Sequence, residues 1–410
     1  MITPETVVDA TELLHRAVGW RAGNVAAVTA VGRVPADPMI NQYAAVTGPA
    51  LESSPAGGAA LDPDSARRAA IGELLERYAS ARCPLPIKLP ADIPDGERIL
   101  DHAAFTLHSR RQRADPGFPY QDSYTSPELT RVHALIDNRP VWVPANLVGT
   151  DPQLGHLATS NGLAAGPTTL LALLRAAQEL VERDALMITW LHQVAARRVP
   201  PPEQVREITD PIGAEVTVFD LTPAYSPHPV AMVAGSAALA GRSRHAVGLA
   251  CRASFAEAVA KALLEWAQGV AFAGVNAGAD PEPGDMPEGF DDHAVFYTRH
   301  PDLWSQLPFW SGPITSPADD TGTRDHAEQL SELVSGLDHH GIELLYRDLT
   351  TADLAGCGVR AVRVLSPQLL PIHSDHRWPH LGGTACDLAL RYPWARPTGP
   401  FPSPYPHPLG

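Results

Sequence analysis

Residues 168–191 read TTLLALLRAAQELVERDALMITWL. Their apolar positions predict a helix over about 168–196, and their charged positions set the problem. At 100° per residue, Leu173, Ala177, Leu180, Asp184, Met187 and Leu191 form one stripe. Glu179, Glu182 and Arg183 fall on the other side, yet Leu171, Ala172, Leu186 and Trp190 share it. A helix that is apolar nearly all round belongs in a protein interior. Carboxylates buried there are costly unless they are paired or bound to a cation. The plain outcome is an i,i+4 bridge from Glu179 to Arg183, worth only about 0.2–0.5 kcal/mol on a surface.

Two further stretches bear on that choice. Residues 64–81, DSARRAAIGELLERYASA, predict a helix that Asp62 or Asp64 caps. It repeats the spacing of the first: Glu73, Glu76 and Arg77 stand as Glu179, Glu182 and Arg183 do. Glu73 and Arg77 share a face with Ala66, Ala69 and Ala70, small enough for another element to approach closely. Residues 254–272, SFAEAVAKALLEWAQGVAF, predict a third helix. It carries Glu257, Lys261, Glu265 and Gln268 opposite Val259, Leu263, Trp266 and Val270. Its plain reading is a surface helix with a Glu–Lys–Glu ladder, but only Lys88 and Lys261 are lysines in a chain with 31 basic residues. Magnesium takes oxygen ligands and shares them with phosphates. Arg and Lys suit phosphate oxygens. Magnesium–nucleotide binding is therefore the economical chemistry. It runs without a P-loop, because the sequence has no Gly-Lys pair and no G-x-G-x-x-G after a strand.

The bulk numbers narrow the class. The 410 residues carry a formal net charge of −15, which argues against a nucleic-acid backbone or an anionic membrane as main partner. The N-terminus shows no signal peptide, and no apolar run reaches the ~20 residues of a membrane span. A cytoplasmic protein is expected. Cys83, Cys251, Cys357 and Cys386 form no C-x-x-C and read as free thiols.

Residues 1–50 are small and apolar, with short strands expected at NVAAVTAVGRV and MINQYAAVTG. LESSPAGGAALDPDS reads as a loop. Residues 83–160 read as Pro-rich and irregular, with one strand at RPVWVPANLV. Further strands are expected at AEVTVFDLT, PVAMVAGSAALA, HAVGLACRA, IELLYRDLT and VRAVRVLS. Residues 275–322 read as an acidic loop, and RDHAEQLSELVSGLDHHG as a helix that Gly341 ends. The expected fold is mixed α/β: one interwoven domain over residues 55–395, after an N-terminal extension (1–54) and before a Pro-rich tail (396–410). HSDHRWPH places His373, His376 and His380 in an H-x-x-H-x-x-x-H pattern; a metal site is conceivable, but a polar loop with scattered imidazoles is the expectation.

Over roughly residues 55–410 the sequence resembles the YcaO family of ATP-dependent enzymes that modify peptide backbones. The resemblance lies in SARRAAIGELLERYA, GFPY, VWVPANLVG, TSNGLAAGPTTLLALLRAAQELVERDALMITW, RRVPPP, AEAVAKALLEWAQ and VRAVRVLSPQLLP, in that order. The family usually has Asn at Pro167, Glu at Leu171, Ser at Ala69 and Arg at Lys261. The resemblance implies ATP and Mg2+ as cofactors. Glu76, Glu179, Glu182 and Glu265 would hold the metal. Glu73, Arg77, Arg183, Lys261 and Gln268 would position the nucleotide. Azoline-forming members resemble one another in a P-x-P-x-P ending, matched here by Pro402, Pro404 and Pro406. Alternating prolines favour a stiff segment, which would bring the Gly410 carboxylate to the catalytic site.

The implied activity is cyclodehydration of Cys, Ser or Thr in a ribosomal precursor peptide to thiazoline or oxazoline. Macroamidine or thioamide formation is the neighbouring chemistry. A degenerate docking scaffold, suggested by Pro167 and Leu171, is the alternative from another class. No fused leader-binding module is read, so a separate recognition protein is expected, and a homodimer or a place in a larger synthetase complex with it.

Overall fold

The structure is a computed structural model. It describes residues 9–19, 23–47, 55–155, 157–278, 286–316 and 324–410. The expected N-terminal extension and acidic loop therefore lie partly outside the described residues.

In chain order the longer helices are α1 (Ala10–Ala17), α2 (Pro63–Arg82), α3 (Thr169–Leu191), α4 (Phe255–Asn276), α5 (Phe290–Arg299) and α6 (His326–His339). The strands are β1 (Ala27–Ala30), β2 (Asn41–Val46), β3 (Ala56–Ala60), β4 (Ile87–Lys88), β5 (Arg98–Ile99), β6 (Leu129–Ala134), β7 (Pro140–Pro144), β8 (Leu163–Gly166), β9 (Arg197–Val199), β10 (Glu215–Asp220), β11 (Val230–Leu239), β12 (Arg242–Cys251), β13 (Leu345–Asp348) and β14 (Arg360–Leu365). The fold is mixed α/β, as expected. It divides into two compact units, each assembled from three stretches of chain.

The first unit comprises residues 1–31, 41–180 and 324–369. It holds a sheet ordered β1-β2-β3 and a seven-stranded sheet ordered β5-β7-β6-β13-β14-β8, with β4 also on β6. Its core takes Ile71, Leu74 and Leu75 from α2, Val132 from β6, Val141 and Val143 from β7, and Leu345 from β13. α2 starts where Asp62 accepts a hydrogen bond from Ser65 N at 2.8 Å, which selects Asp62 over Asp64 as the cap. Gly341, at φ +71°, follows α6 in the left-handed region, as read.

Several expectations are corrected. The supposed loop before α2 contains β3: Ala56-Gly57-Gly58-Ala59-Ala60 lacks the β-branched residues that announce a strand. Its small residues serve contact instead. A Cβ on Gly58 would stand 2.2 Å from Ala70 N and 2.4 Å from Ala66 O, so only glycine lets the strand lie on the helix. Ala66 and Ala70 face β3, whereas Ala69 is exposed and does not share that contact. Residues 83–160 are less irregular than read: they contribute β4, β5 and β6 beside the expected β7. Their strands are short and interrupted by proline, which hides the period. α1, β8 and β9 also escaped the sequence pattern.

The second unit comprises residues 32–40, 181–323 and 370–410. Its antiparallel sheet is ordered β12-β11-β10-β9, and the apolar face of α4 packs on β11 and β12. Val259, Leu263, Trp266 and Val270 are buried, whereas Lys261, Glu265 and Gln268 remain partly accessible and Glu257 is exposed, as the helical spacing predicts. A Cβ on Gly248 would fall 1.9 Å from Ala262 O, so β12 also requires a glycine where the helix crosses it. The stretch expected as an acidic loop contains α5, whose His293, Val295, Phe296 and Tyr297 are buried. The division between units falls within α3, between Leu180 and Val181.

Candidate active site

α3 is buried along most of its length, and the accessible exceptions are regular. Leu171, Arg175, Glu179 and Arg183, spaced by four, are only partly buried, as are Thr169 and Leu170 at its start. The charged cluster of the sequence thus divides by role. Asp184 lies wholly inside the second unit: Arg391 grips it through Nη2 at 2.7 Å and Nε at 3.0 Å, while Tyr225 Oη and Leu370 N donate at 2.7 and 2.8 Å. A carboxylate saturated in this way is structural.

In the first unit, Glu76 accepts from Ala165 N at 3.2 Å. Burial lifts its carboxyl well above the usual range, and the charges of Glu179 and Glu73 lift it further against Arg77. Arg77 pairs with Glu73 one turn away on α2. Behind this group stands Arg363 on β14, which sequence reasoning did not single out. It is fully buried and donates to Val148 O, Asn161 O and Ser80 Oγ. Burial lowers its pKa to about 10, although Glu179 and Glu76 pull it up. An arginine in the middle of an apolar strand was the available signal.

In the second unit, Glu182 is buried and accepts from Cys251 N at 3.2 Å, with Arg183 at 3.5 Å. Glu265 on α4 meets Lys261 at 3.0 Å and Leu249 N at 3.4 Å. Burial would raise the Glu265 carboxyl, but Lys261, Arg183 and Arg252 outweigh it and hold it below its usual value. Gln268 is partly buried one turn further along α4. Glu73, Glu76, Arg77 and Glu179 thus belong to the first unit, and Glu182, Arg183, Lys261, Glu265 and Gln268 to the second.

The donor set suits magnesium. Crowded carboxylates raise one another's pKa, and a hard divalent cation is what relieves them. Among the described residues no group of three or more His, Cys, Asp or Glu forms a metal cage of its own. Magnesium does not need one, because it shares its coordination sphere with phosphates and water.

The proline-rich segment packs within the second unit. Leu191 O accepts from Ser403 N, Trp190 Nε1 donates to Tyr405 O, and Tyr297 Oη donates to Pro406 O. Pro406 is buried, whereas Pro402, Pro404 and Gly410 are exposed. Gly410 lies against Phe290 and Ala294 of α5. The loop of His373, His376 and His380 is not a polar surface loop: His373 and His380 are buried, and His293 and His407 join them.

The family model for "YcaO cyclodehydratase, ATP- and Mg2+-binding" matches residues 57–370. The chain belongs to the YcaO family. ATP and Mg2+ are accordingly its cofactors. The fold is similar to that of a heterocyclase in complex with substrate and cofactor (TM-score 0.77, 18% identity, covering 97% of this chain and 57% of that one). It is also similar to YcaO from Methanopyrus kandleri bound with AMPPCP and Mg2+ (0.64, 21%, 85% and 86%). Other similar structures include the heterocyclase TruD (0.61, 21%, 83% and 50%) and the E. coli microcin synthetase McbBCD complex (0.59, 15%, 83% and 88%). The chain therefore spans little more than half the length of the first of these. No curated protein matches the sequence. Among the described residues no helix is long and apolar enough to cross a membrane.

Proposed function

We propose that this YcaO protein is an ATP-dependent cyclodehydratase that converts Cys, Ser or Thr of a ribosomal precursor peptide to thiazoline or oxazoline. The observation that carries the reading is the charge of Glu179 raising the buried Glu76 carboxyl, together with Glu182 and Glu265 accepting from Cys251 N and Leu249 N, two residues apart on β12, with Arg183 and Lys261 beside them. Each pair, Glu76 with Glu179 and Glu182 with Glu265, is proposed to hold magnesium, while Glu73, Arg77, Arg183, Lys261 and Gln268 contact the nucleotide. Bound ATP supplies the phosphoryl group that makes the former amide oxygen a leaving group. The side-chain heteroatom of the peptide attacks the preceding carbonyl carbon and gives up its proton. The oxygen so formed would take the γ-phosphoryl group with release of ADP, and the amide nitrogen, giving up its proton, would then expel phosphate to leave the C=N bond. The protein's part is charge neutralisation by fixed cations and alignment of the attacked amide. The Gly410 carboxylate is proposed to accept or orient the transferred proton, with Pro402, Pro404 and Pro406 stiffening its approach.

A leader-binding protein acting in trans is proposed as partner, in a homodimeric or larger synthetase assembly in the cytoplasm. The McbBCD relative, a complex solved with pro-MccB17 bound, supports a peptide substrate and an assembly of several chains. The test is phosphate release with the purified chain, partner and precursor, read beside the mass of the product. Precursor-dependent release with loss of one water supports the reading. Exchange of oxygen for sulfur would reassign the chemistry to thioamide formation, and no release in any combination would leave a docking scaffold.

A further inference from the structure

Five histidines that the proposed chemistry does not use converge in the second unit. His293 comes from α5, His373, His376 and His380 from the following loop region, and His407 from the proline-rich segment. The His407 ring stacks on His293 at 3.7 Å between centroids and 1° between planes, and meets the His373 ring edge-on at 4.8 Å. His376 lies 6.4 Å from both His293 and His373. Three of these rings hold the segment directly. His407 Nε2 donates to His373 O at 2.7 Å, His293 Nδ1 donates to His407 O at 2.7 Å, and His376 Nε2 donates to Pro404 O at 3.2 Å.

These bonds define one protonation state. A carbonyl accepts only from N–H, so each of the three rings spends its single proton on the segment or its anchor. The remaining nitrogens, His293 Nε2, His376 Nδ1 and His407 Nδ1, are buried without a hydrogen-bond partner, as are both nitrogens of His373. A second proton on His373, His376 or His407 would create a buried cation whose new N–H meets no acceptor; on His293 the Ser374 backbone favours the second proton, but less than burial opposes it. We propose that His293, His373, His376 and His407 form a clamp that docks the Pro400–Gly410 segment only while all four rings are neutral.

The surroundings agree. Arg183 of α3 opposes a proton on His407. Asp292 of α5 and Asp375 of the loop favour protonation of His293 and His376, but more weakly than burial opposes it. Asp375 is itself gripped by Arg377, which also pairs with Glu288. His380 donates to Pro371 O, and Tyr297 and Tyr405 complete the titratable neighbours. Burial pushes His293 down to about 4 from 6.5, and His373 and His407 well below 6.5. The sign follows. The released segment binds more protons, so docking is strongest above pH 6.5 and weakens as pH falls toward 4. His293 alone would weaken docking by at most about 30-fold at pH 5, the limit in which release returns it from about 4 to 6.5.

The experiment is amide hydrogen exchange of residues 400–410, corrected for the intrinsic rate, with no nucleotide or peptide present and α4 as internal reference. Because neither ligand is present, its outcome is independent of the cyclodehydratase reading. Exchange at least tenfold faster at pH 5.0 than at pH 7.5, with α4 unchanged, is expected; equal protection at both overturns the clamp. His373→Phe keeps a ring, and neither nitrogen of His373 has a hydrogen-bond partner to lose, so its release midpoint is expected at least 0.5 pH unit lower. An unchanged midpoint would remove the histidines as the cause. Should that variant not fold, C2-hydrogen exchange of the wild-type imidazoles decides: titration of His293 and His407 below pH 5 supports the clamp, and titration at 6–7 overturns it.

Discussion

Asp184 and Glu182 stand two residues apart and illustrate how little a local charge count says. Asp184 receives four hydrogen bonds and an ion pair within the second unit, so its charge is spent on the fold. Asp184→Ala leaves Arg391 as a buried cation without its carboxylate. A loss of about 3–5 kcal/mol is expected, read as a lower urea midpoint. Glu182 accepts from Cys251 N and lies 3.5 Å from Arg183, which is itself partly accessible. Glu182→Gln preserves shape and is expected to reduce precursor-dependent ATP hydrolysis by about two orders of magnitude or more, with the urea midpoint unchanged. A collapse of the midpoint instead would make Glu182 structural. Mn2+ binding, followed in the same variant, separates lost metal affinity from lost chemistry.

Elements place these residues through small side chains. β3 can rest on α2 because Gly58 has no Cβ to drive into Ala66 and Ala70, and that contact sets α2, which carries Glu73, Glu76 and Arg77. Gly58→Val forces backbone apart from backbone, and a loss of at least about 1–3 kcal/mol is expected by thermal denaturation. The proline-rich segment is the second element with a testable role. Two or three residues added after Gly410 are expected to slow azoline formation by about a hundredfold or more while nucleotide affinity stays within twofold. Cyclisation at the normal rate would make the segment a bystander, and loss of nucleotide binding would make it part of the fold alone.

At the scale of the molecule, the question is what acts with this chain. A leader-binding partner supplied in trans is expected to raise the rate of precursor modification at least tenfold, because holding the peptide converts an encounter into an intramolecular step. Equal rates on a leaderless core peptide without any partner would count against it. Two features were legible along the chain: the apolar periods that made α2, α3 and α4, and the E-x-x-E-R spacing on two of them. β3, β8 and α5 were not, since Gly/Ala runs and polar, proline-flanked stretches carry no period that propensity can read. Arg363 was overlooked for a related reason: in a strand, one charge at a buried position looks like a solvent-facing exception until its three acceptors are found.

Helix periodicity, the placing of Glu76, Glu179, Glu182 and Glu265, and the absence of a P-loop follow from residue type and order alone, because they depend on rotation per residue and on chemistry within a few positions. Which carboxylate is spent on the fold, which arginine lies behind the first pair, and that His407 stacks on His293 were decided by tertiary structure. Each depends on partners tens to hundreds of residues away, such as Arg391 for Asp184 or Val148 for Arg363, and no local pattern encodes a contact of that range.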